Sequence, residues 1–399
     1  MLLLKFEPAK RMNKIPKSFF SVLDDKIAET RSELPLIDLS KGNPDLPTPK
    51  NIVSTLQKAA ESPTNDRYSP FDGKEDLKRA ISVFYKREYG VRIDPESEVA
   101  IFSGAAIGLF AFPQVILNPG DYAIITDPHY PEYVPAIKLA NGKIFECPLT
   151  KKNRFLPDFS RIPEDVLNKS KLLLLNYPNN PTGAVANRKF FAQTIRFANE
   201  HNLVVINDFA YASLGYEEKP VSLLQIPGVV QSAVEIYTLS KTYSMAGWRI
   251  GFAVGNKDII ASLKQYHAHA YSTVYGAVQD AAVEALTGSQ KGANDILASY
   301  RKRRKLFVDG LNKLGYQVEA PKGTFFVWVS APRGFDGERF ANYLFDNASI
   351  AVAPGIGFGN EGKNYVRISL VQSEKVLETA LKRINHLWEV ELDVTRSFD

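Results

Sequence analysis

The chain has 399 residues, with 49 lysines and arginines against 44 aspartates and glutamates, and one cysteine, Cys147. That length exceeds one ordinary domain and predicts two, while a net charge of +5 spread along the chain argues against a nucleic-acid binder, and one cysteine excludes an internal disulfide. No run approaches the roughly 18–20 apolar residues of a membrane span, and the opening MLLLKFEPAKR is too short an apolar stretch for a secretory signal, so a cytoplasmic setting is expected.

Residues 14–30 (KIPKSFFSVLDDKIAET) have amphipathic spacing that predicts a helix. The segment LSKGNPDLPTPKNI follows, irregular by its glycine and prolines and ending at a helix start. Short apolar runs then recur: VAIF at 99–102, YAIIT at 122–126, KLLLL at 171–175, LVVI at 203–206, VEIY at 234–237 and RIGFAV at 249–254. Helical or loop stretches separate them. This alternation predicts an α/β layer with a mostly parallel sheet. A charged helix at 295–314 precedes YQVEAPKGTFFVWVS, which reads as a hairpin-like strand pair. FANYLFDNAS reads as a helix, NYVRISL as a strand and 374–388 as a last helix. The expected organisation is an N-terminal arm with part of a small domain (1–48), a large domain (49–290) and a C-terminal α+β part of the small domain (291–399). The basic cluster Arg301–Lys305 is expected to be a solvated helix face.

Polar residues follow the strands. Ser103-Gly104 comes after VAIF, and Asp127-Pro128-His129-Tyr130 after YAIIT. Asn176 to Pro181 follows KLLLL, Asn207 to Tyr211 follows LVVI, and Thr238-Leu239-Ser240-Lys241 follows VEIY. In open parallel sheets, ligands bind beyond the carboxyl ends of the strands. Five such ends would bring an amide, a carboxylate, two phenols, hydroxyls and a lysine to one crevice. A phosphorylated heteroaromatic aldehyde uses all of these. The amine condenses with the aldehyde, and a carboxylate keeps the ring nitrogen protonated. A phenol and an amide bond the ring oxygen, and an aromatic side chain stacks on the ring. A helix N-terminus after Gly104, the hydroxyls of Thr238 and Ser240, and Arg249 would hold the phosphate.

The stretch Thr238-Leu239-Ser240-Lys241-Thr242-Tyr243-Ser244-Met245-Ala246-Gly247-Trp248-Arg249 resembles the cofactor-lysine signature of class I/II aminotransferases, pyridoxal-phosphate enzymes of fold type I. Asn-Asn-Pro-Thr-Gly at 179–183 and Asp-Phe-Ala-Tyr at 208–211 stand in the same order. The resemblance runs from GNPDLPTP to VRISL. It implies a mostly parallel-sheet cofactor domain and a smaller α+β domain built from both chain ends. It implies that Lys241 bonds the cofactor and shuttles a proton, that Asp208 pairs with the ring nitrogen, and that Tyr211 and Asn180 bond the ring oxygen. Tyr130 would stack on the ring. Gly104, Ala105 and Ala106 would hold the phosphate through backbone N–H groups, with Thr238, Ser240 and Arg249. Arg367 would clamp the substrate carboxylate, and Gly42 and Asn43 would lie in the segment that closes over the substrate. Tyr68 would reach the phosphate of a neighbouring subunit, which implies a homodimer with shared sites. Many relatives carry Ser, Thr or Lys within two positions of the glycine, where this chain has Ala105 and Ala106, so one side-chain contact to the phosphate is expected to be missing.

Each residue has a plainer alternative. A lysine is most often on the surface, and an aspartate after a strand is as often a helix cap. Arg367 lies between apolar neighbours in VRISL and needs a buried partner, an internal carboxylate or a ligand. Gly357-Phe358-Gly359-Asn360-Glu361-Gly362 fits a dinucleotide fingerprint but precedes a strand, so it is rejected. His267 and His269 stand two apart in a helix and face different ways, and no metal site is expected. Two reactions remain: amino transfer between an amino acid and a 2-oxo acid, and carbon–sulfur β-elimination on the same lysine. KSFFSVL, LNYPNNPTGAV and EIYTLSKTYSMAGWR are similar to methionine-salvage and diaminopimelate-type aminotransferases. An apolar, methionine-like or aromatic substrate is therefore expected.

Overall fold

The structure is a computed structural model and describes residues 6–29, 34–229 and 232–396. Seven strands form the main sheet: β2 (Val99–Phe102), β3 (Tyr122–Asp127), β4 (Lys143–Pro148), β5 (Ser170–Asn176), β6 (Val204–Asp208), β7 (Ala233–Thr238) and β8 (Gly251–Gly255). Their order is β2-β8-β7-β6-β5-β3-β4. β8 is antiparallel to both neighbours and the other pairings are parallel. Two reversals cancel, so β2 runs with β7. The carboxyl ends of β2, β3, β5, β6 and β7 thus lie on one edge, as the strand-end residues require.

The apolar runs are continuous because the sheet is buried on both faces. Along β5, Leu173 and Leu175 join a cluster with Leu77, Ile81, Phe84 and Phe191. Leu172 and Leu174 join another with Leu109, Phe112, Ile137 and Leu263. The period-2 alternation of strand side chains assigns these sides. The helices that supply them are α3 (Glu75–Tyr89), α4 (Ala105–Ile116), α5 (Tyr133–Leu139), α7 (Arg188–Glu200) and α9 (Lys257–Ala270). A third cluster gathers Ile37 and Leu39 with Phe307, Val327, Leu344, Ile368 and Ile384. Here β1 (Ile37–Asp38) pairs in parallel with β10 (Ile350–Ala351), so an early segment is stitched to a late one. β9 (Phe326–Ser330) and β11 (Ala353–Pro354) flank β12 (Tyr365–Ser369).

Three expectations differ from the structure, and one strand is added to them. The helix expected over 14–30 is α1, Phe19–Glu29, because Pro16 holds Ile15 extended (φ −111°, ψ 133°) after a short 3-10 turn; residue 30 lies outside the described residues. No hairpin forms in YQVEAPKGTFFVWVS. The Gly323 N–H goes to Gly183 O, the Thr324 N–H to Leu214 O, and Lys322 O accepts from the Tyr216 N–H, so that stretch is spent on the loops beside it and only β9 remains. β4, half-buried at the sheet edge, has no continuous apolar run and was not anticipated. The basic cluster lies on α11 (Lys291–Lys313) but is not simply solvated: Arg303 is buried, and Lys302, Arg304 and Lys305 pair with Glu374, Glu217 and Asp309. Among the described residues no helix is long and apolar enough to cross a membrane, and no group of three or more His, Cys, Asp or Glu could hold a metal.

Candidate active site

β5 and β6 end side by side, with Asn176 in register with Asp208. Asn176 Nδ2 donates to Asp208 O at 2.7 Å, and its Oδ1 accepts from the Asn180 N–H at 2.7 Å. The buried Asp208 carboxylate accepts from the Tyr133 hydroxyl at 2.6 Å and the Ala210 N–H at 3.1 Å. Burial pushes this carboxyl up to about 6, against the pull of those two donors and of Lys241. Its two oxygens are thus held by a phenol and a backbone N–H rather than by an ion pair.

Lys241 sits on a one-turn helix, Leu239–Thr242, that starts directly after β7, where Thr238 Oγ1 caps the Ser240 N–H at 3.2 Å. Its Nζ donates to Gly42 O at 2.7 Å and lies 5.6 Å from the Phe325 ring centre. Desolvation first, then Arg367 and Arg249, lowers the amine to about 8, and Asp208 opposes them. An amine so placed exchanges its proton near neutral pH. Tyr211, three residues past Asp208, is buried edge-on to Phe325 and Phe326. Burial drives its phenol well above the ordinary range, with Arg367 opposing. The Tyr130 phenol, also desolvated, is pushed up to about 12.

Gly104 has φ +93°, and a Cβ there would meet Arg249 Nη2 at 2.5 Å. Glycine is therefore required by conformation, and any larger residue would also have to push the guanidinium aside. α4 begins at the next residue, so the first-turn N–H groups of Ala105 and Ala106 have no intrahelical acceptor. Ala105 is buried and Ala106 exposed. Thr238 Oγ1 donates to Ser240 Oγ at 2.8 Å. Arg249 is itself left-handed (φ 55°) and donates from Nη1 to Ala246 O at 2.8 Å.

Arg367, on β12, is 1% exposed. Nη1 donates to Asn180 Oδ1 at 2.9 Å and Nη2 to Ser40 O at 2.6 Å. Its guanidinium carbon lies 4.0 Å from the Phe326 ring centre, 4.6 Å from Phe358 and 5.4 Å from Phe20. Nε is buried with no hydrogen-bond partner among the described residues. A buried cation held only by neutral acceptors and ring faces leaves its charge unmet, and desolvation lowers it to about 10.

Gly42, Asn180, Asp208, Tyr211, Tyr130, Lys241 and Arg367 thus form one neighbourhood, with Gly104, Ala105, Thr238, Ser240 and Arg249 beside it. Asn43 is exposed and has no side-chain bond to this group. Tyr68 is 90% exposed on the surface of the single chain. Sequence reasoning missed Tyr133, whose place three residues after Tyr130 on the first turn of α5 was a usable signal. It also missed Phe20, Phe326 and Phe358 around Arg367, because distance in sequence hides a shared ring cage.

The model of aminotransferase class I and II matches residues 35–384. The L-glutamine--4-(methylsulfanyl)-2-oxobutanoate aminotransferase of Bacillus subtilis (strain 168) is 45% identical, over 96% of this chain and 97% of its own. The LL-diaminopimelate aminotransferase of Syntrophobacter fumaroxidans is 40% identical, over 96% and 100%. The chain belongs to the class I and II aminotransferases. Among solved structures, substrate-bound BacF from Bacillus subtilis has a TM-score of 0.93 at 42% identity, covering 96% of this chain and 98% of that one. A mutant aspartate aminotransferase of Thermus thermophilus has a TM-score of 0.89 at 29% identity, covering 96% and 100%. This protein is accordingly a pyridoxal-phosphate-dependent aminotransferase with the fold type I architecture, moving an amino group between an amino acid and a 2-oxo acid. These likenesses support amino transfer rather than β-elimination. The donor set fits the cofactor: Asp208 is a buried carboxylate lacking a cation, Gly104 leaves a cradle that a Cβ would fill, and Lys241 presents a depressed amine.

Proposed function

We propose that this aminotransferase takes amino acids with apolar, methionine-like or aromatic side chains, and that the residues gathered at the sheet edge carry the roles their positions suggest. The observation that carries the reading is the cage of Phe20, Phe326 and Phe358 around Arg367. A substrate carboxylate would meet the unbonded Nε of Arg367, and a side chain leaving that point would meet rings rather than charges. The name of the relative acting on 4-(methylsulfanyl)-2-oxobutanoate supports the same class.

Lys241 would hold the cofactor and carry the proton between the substrate α-carbon and the cofactor's reactive carbon. Asp208 would keep the cofactor's ring nitrogen protonated, Tyr211 and Asn180 would bond the ring oxygen, and Tyr130 would cover the ring. The bound pyridoxal phosphate supplies the electron sink for loss of that proton. Gly104, Ala105, Ala106, Thr238, Ser240 and Arg249 would hold the phosphate, and Gly42 and Asn43 would border the substrate. The exposed Tyr68 would complete the phosphate site of a second copy, giving a homodimer. A domain division into 1–48 with 291–399, and 49–290, is supported by the cluster that joins Ile37 and Leu39 to Ile384, although Tyr211, Leu214 and Tyr216 also enter it. A cytoplasmic setting is supported by the free, buried Cys147.

The deciding experiment is a panel of amino acids titrated into the yellow holoenzyme, followed by absorbance, with 2-oxo acids added back. Methionine, phenylalanine and tyrosine are expected to discharge the cofactor band faster than aspartate. Faster turnover of aspartate overturns the substrate reading, and release of pyruvate and ammonia from cysteine-type substrates would move the assignment to elimination.

A further inference from the structure

We infer that Glu235, buried in β7 and outside the chemistry, is a positioning residue that fixes the ends of β5 and β6 through Asn207. The inference rests on the roles proposed above for Asp208 and Asn180.

Glu235 is fully buried. Its Oε1 accepts from the Leu223 N–H at 2.6 Å and Asn207 Nδ2 at 3.1 Å, and its Oε2 accepts from Ser222 Oγ at 2.5 Å and the Tyr85 hydroxyl at 3.2 Å. Ser222 Oγ already accepts the Leu224 N–H, so its own proton is directed to Glu235. The ionised carboxylate accepts all four donors on its two oxygens with no hydroxyl turned round. Burial raises the group to about 7, and these donors hold it from rising further.

The Asn207 amide has one orientation. Its Oδ1 accepts the Tyr177 N–H at 3.1 Å, which turns Nδ2 toward Glu235. Asn207 directly precedes Asp208, and Tyr177 directly follows Asn176. Asn176 binds Asp208 O and the Asn180 N–H, and Asn180 Oδ1 receives Arg367. A continuous chain of hydrogen bonds and peptide links therefore runs from Glu235 across β6 and β5 to Asn180 and Arg367. Each link has its donor and acceptor used, which is the condition under which a buried polar network holds one geometry. Asn207 without Glu235 would keep its bond to Tyr177 yet leave Nδ2 with only the long 3.4 Å contact to Tyr177 O.

A simpler role would be to staple the Ser222–Gln225 turn alone. The two roles separate by experiment. Glu235→Ala, Glu235→Gln, Asn207→Ala, Ser222→Ala and Asp208→Asn are prepared. Thermal midpoint, the pyridoxal phosphate concentration that half-saturates the apoenzyme, and kcat and KM of the holoenzyme are then measured. Glu235→Ala and Asn207→Ala are each expected to raise half-saturation about ten-fold and to lower kcat about ten- to a hundred-fold, the scale of a small misplacement of catalytic groups. The double variant is expected to be no worse than the poorer single one, because both break one chain. Glu235→Gln should recover most of the loss, since its Oε1 can still accept from Asn207 and the Leu223 N–H, while the Ser222 and Tyr85 hydroxyls turn to accept from Nε2. Ser222→Ala should lower the thermal midpoint and leave half-saturation alone. A folded Glu235→Ala enzyme with ordinary half-saturation and kcat, or losses that multiply in the double variant, overturns the inference. If Glu235→Ala does not fold, Asn207→Ala decides, and an unimpaired holoenzyme there overturns it. Asp208→Asn separates the two readings: impaired Asp208→Asn with normal Glu235→Ala defeats the positioning role alone, whereas normal Asp208→Asn defeats the role of Asp208.

Discussion

The region around Arg303 and the pocket around Arg367 bury the same guanidinium in opposite ways. Arg303 makes a two-pronged pair with Asp45, Nη1 to Oδ1 at 2.7 Å and Nη2 to Oδ2 at 2.8 Å, and donates again to Leu370 O. Its charge is met within the chain, and its work is to pin the 40s segment against α11. Arg367 finds two carbonyl oxygens, three rings and no carboxylate. The same contrast separates two acids. Glu235 has four donors, whereas Asp208 has two and lies beside the lysine. A charge completed internally builds the fold. A charge left open marks where a ligand's opposite charge belongs, at some cost in stability.

That contrast is tested first where the effect is largest. Lys241→Ala should reduce turnover by roughly 10⁴-fold or more, since covalent attachment and proton transfer are both lost; stopped assays with ordinary rates would remove the lysine from the mechanism. The apoprotein should behave oppositely. With the folded amine lowered to about 8 from 10.5, the unfolded chain binds more protons between those values, so this group adds stability as pH rises through that window. The substitution should erase that slope in thermal melts of apoenzyme.

Asp208→Asn should cost roughly 10²- to 10³-fold in kcat, the scale of losing one preorganised electrostatic partner. Its stability effect has the other sign. Burial raises the folded carboxyl from 3.8 to about 6, so its favourable contribution is complete below 3.8 and lost as pH climbs through 6. At neutral pH the apo variant should melt higher than the parent, and a lower melting point would mean that the two donors on Asp208 outweigh its burial. The two arginines follow. Arg367→Lys should raise KM about 10- to 100-fold with a small change in melting, because an ammonium cannot reproduce the fork. Arg303→Lys should do the reverse, lowering the melting point while leaving KM alone.

The closed and open regions were not equally legible. The strand ends, Lys241 and Asp208 were visible because a buried parallel sheet writes continuous apolar runs, and the ligand edge follows from topology. Arg367 was visible as an arginine between apolar neighbours, but its aromatic cage was not, since Phe20, Phe326 and Phe358 come from three distant segments that meet only when the third core closes. The basic cluster misled for the same reason: five adjacent cations look solvated until Asp45, more than 250 residues away, is brought to Arg303. The false hairpin shows the converse. Local pattern favoured two strands, and Pro321, with no N–H, together with Gly323, packed close to Pro178, gave that backbone to other loops.

Tyr133 is the smallest test and the one most specific to the open acid. Its hydroxyl reaches Asp208 Oδ2 at 2.6 Å and lowers the carboxyl that burial raises. Tyr133→Phe removes one donor and keeps the ring packed edge-on to Tyr130, so the loss should be about the worth of one hydrogen bond to a charged group, roughly 1.5–3 kcal/mol at most and less where water enters. The expected kinetic cost is several-fold to about ten-fold in kcat. More telling is its direction on the pH axis. Without the donor the Asp208 carboxyl rises further, so the acid limb of activity should move to higher pH, and the holoenzyme's cofactor band should change at a higher pH than in the parent. An acid limb that stays fixed would mean that Asp208 is already held ionised by the bound cofactor, and that Tyr133 only fills space beside it.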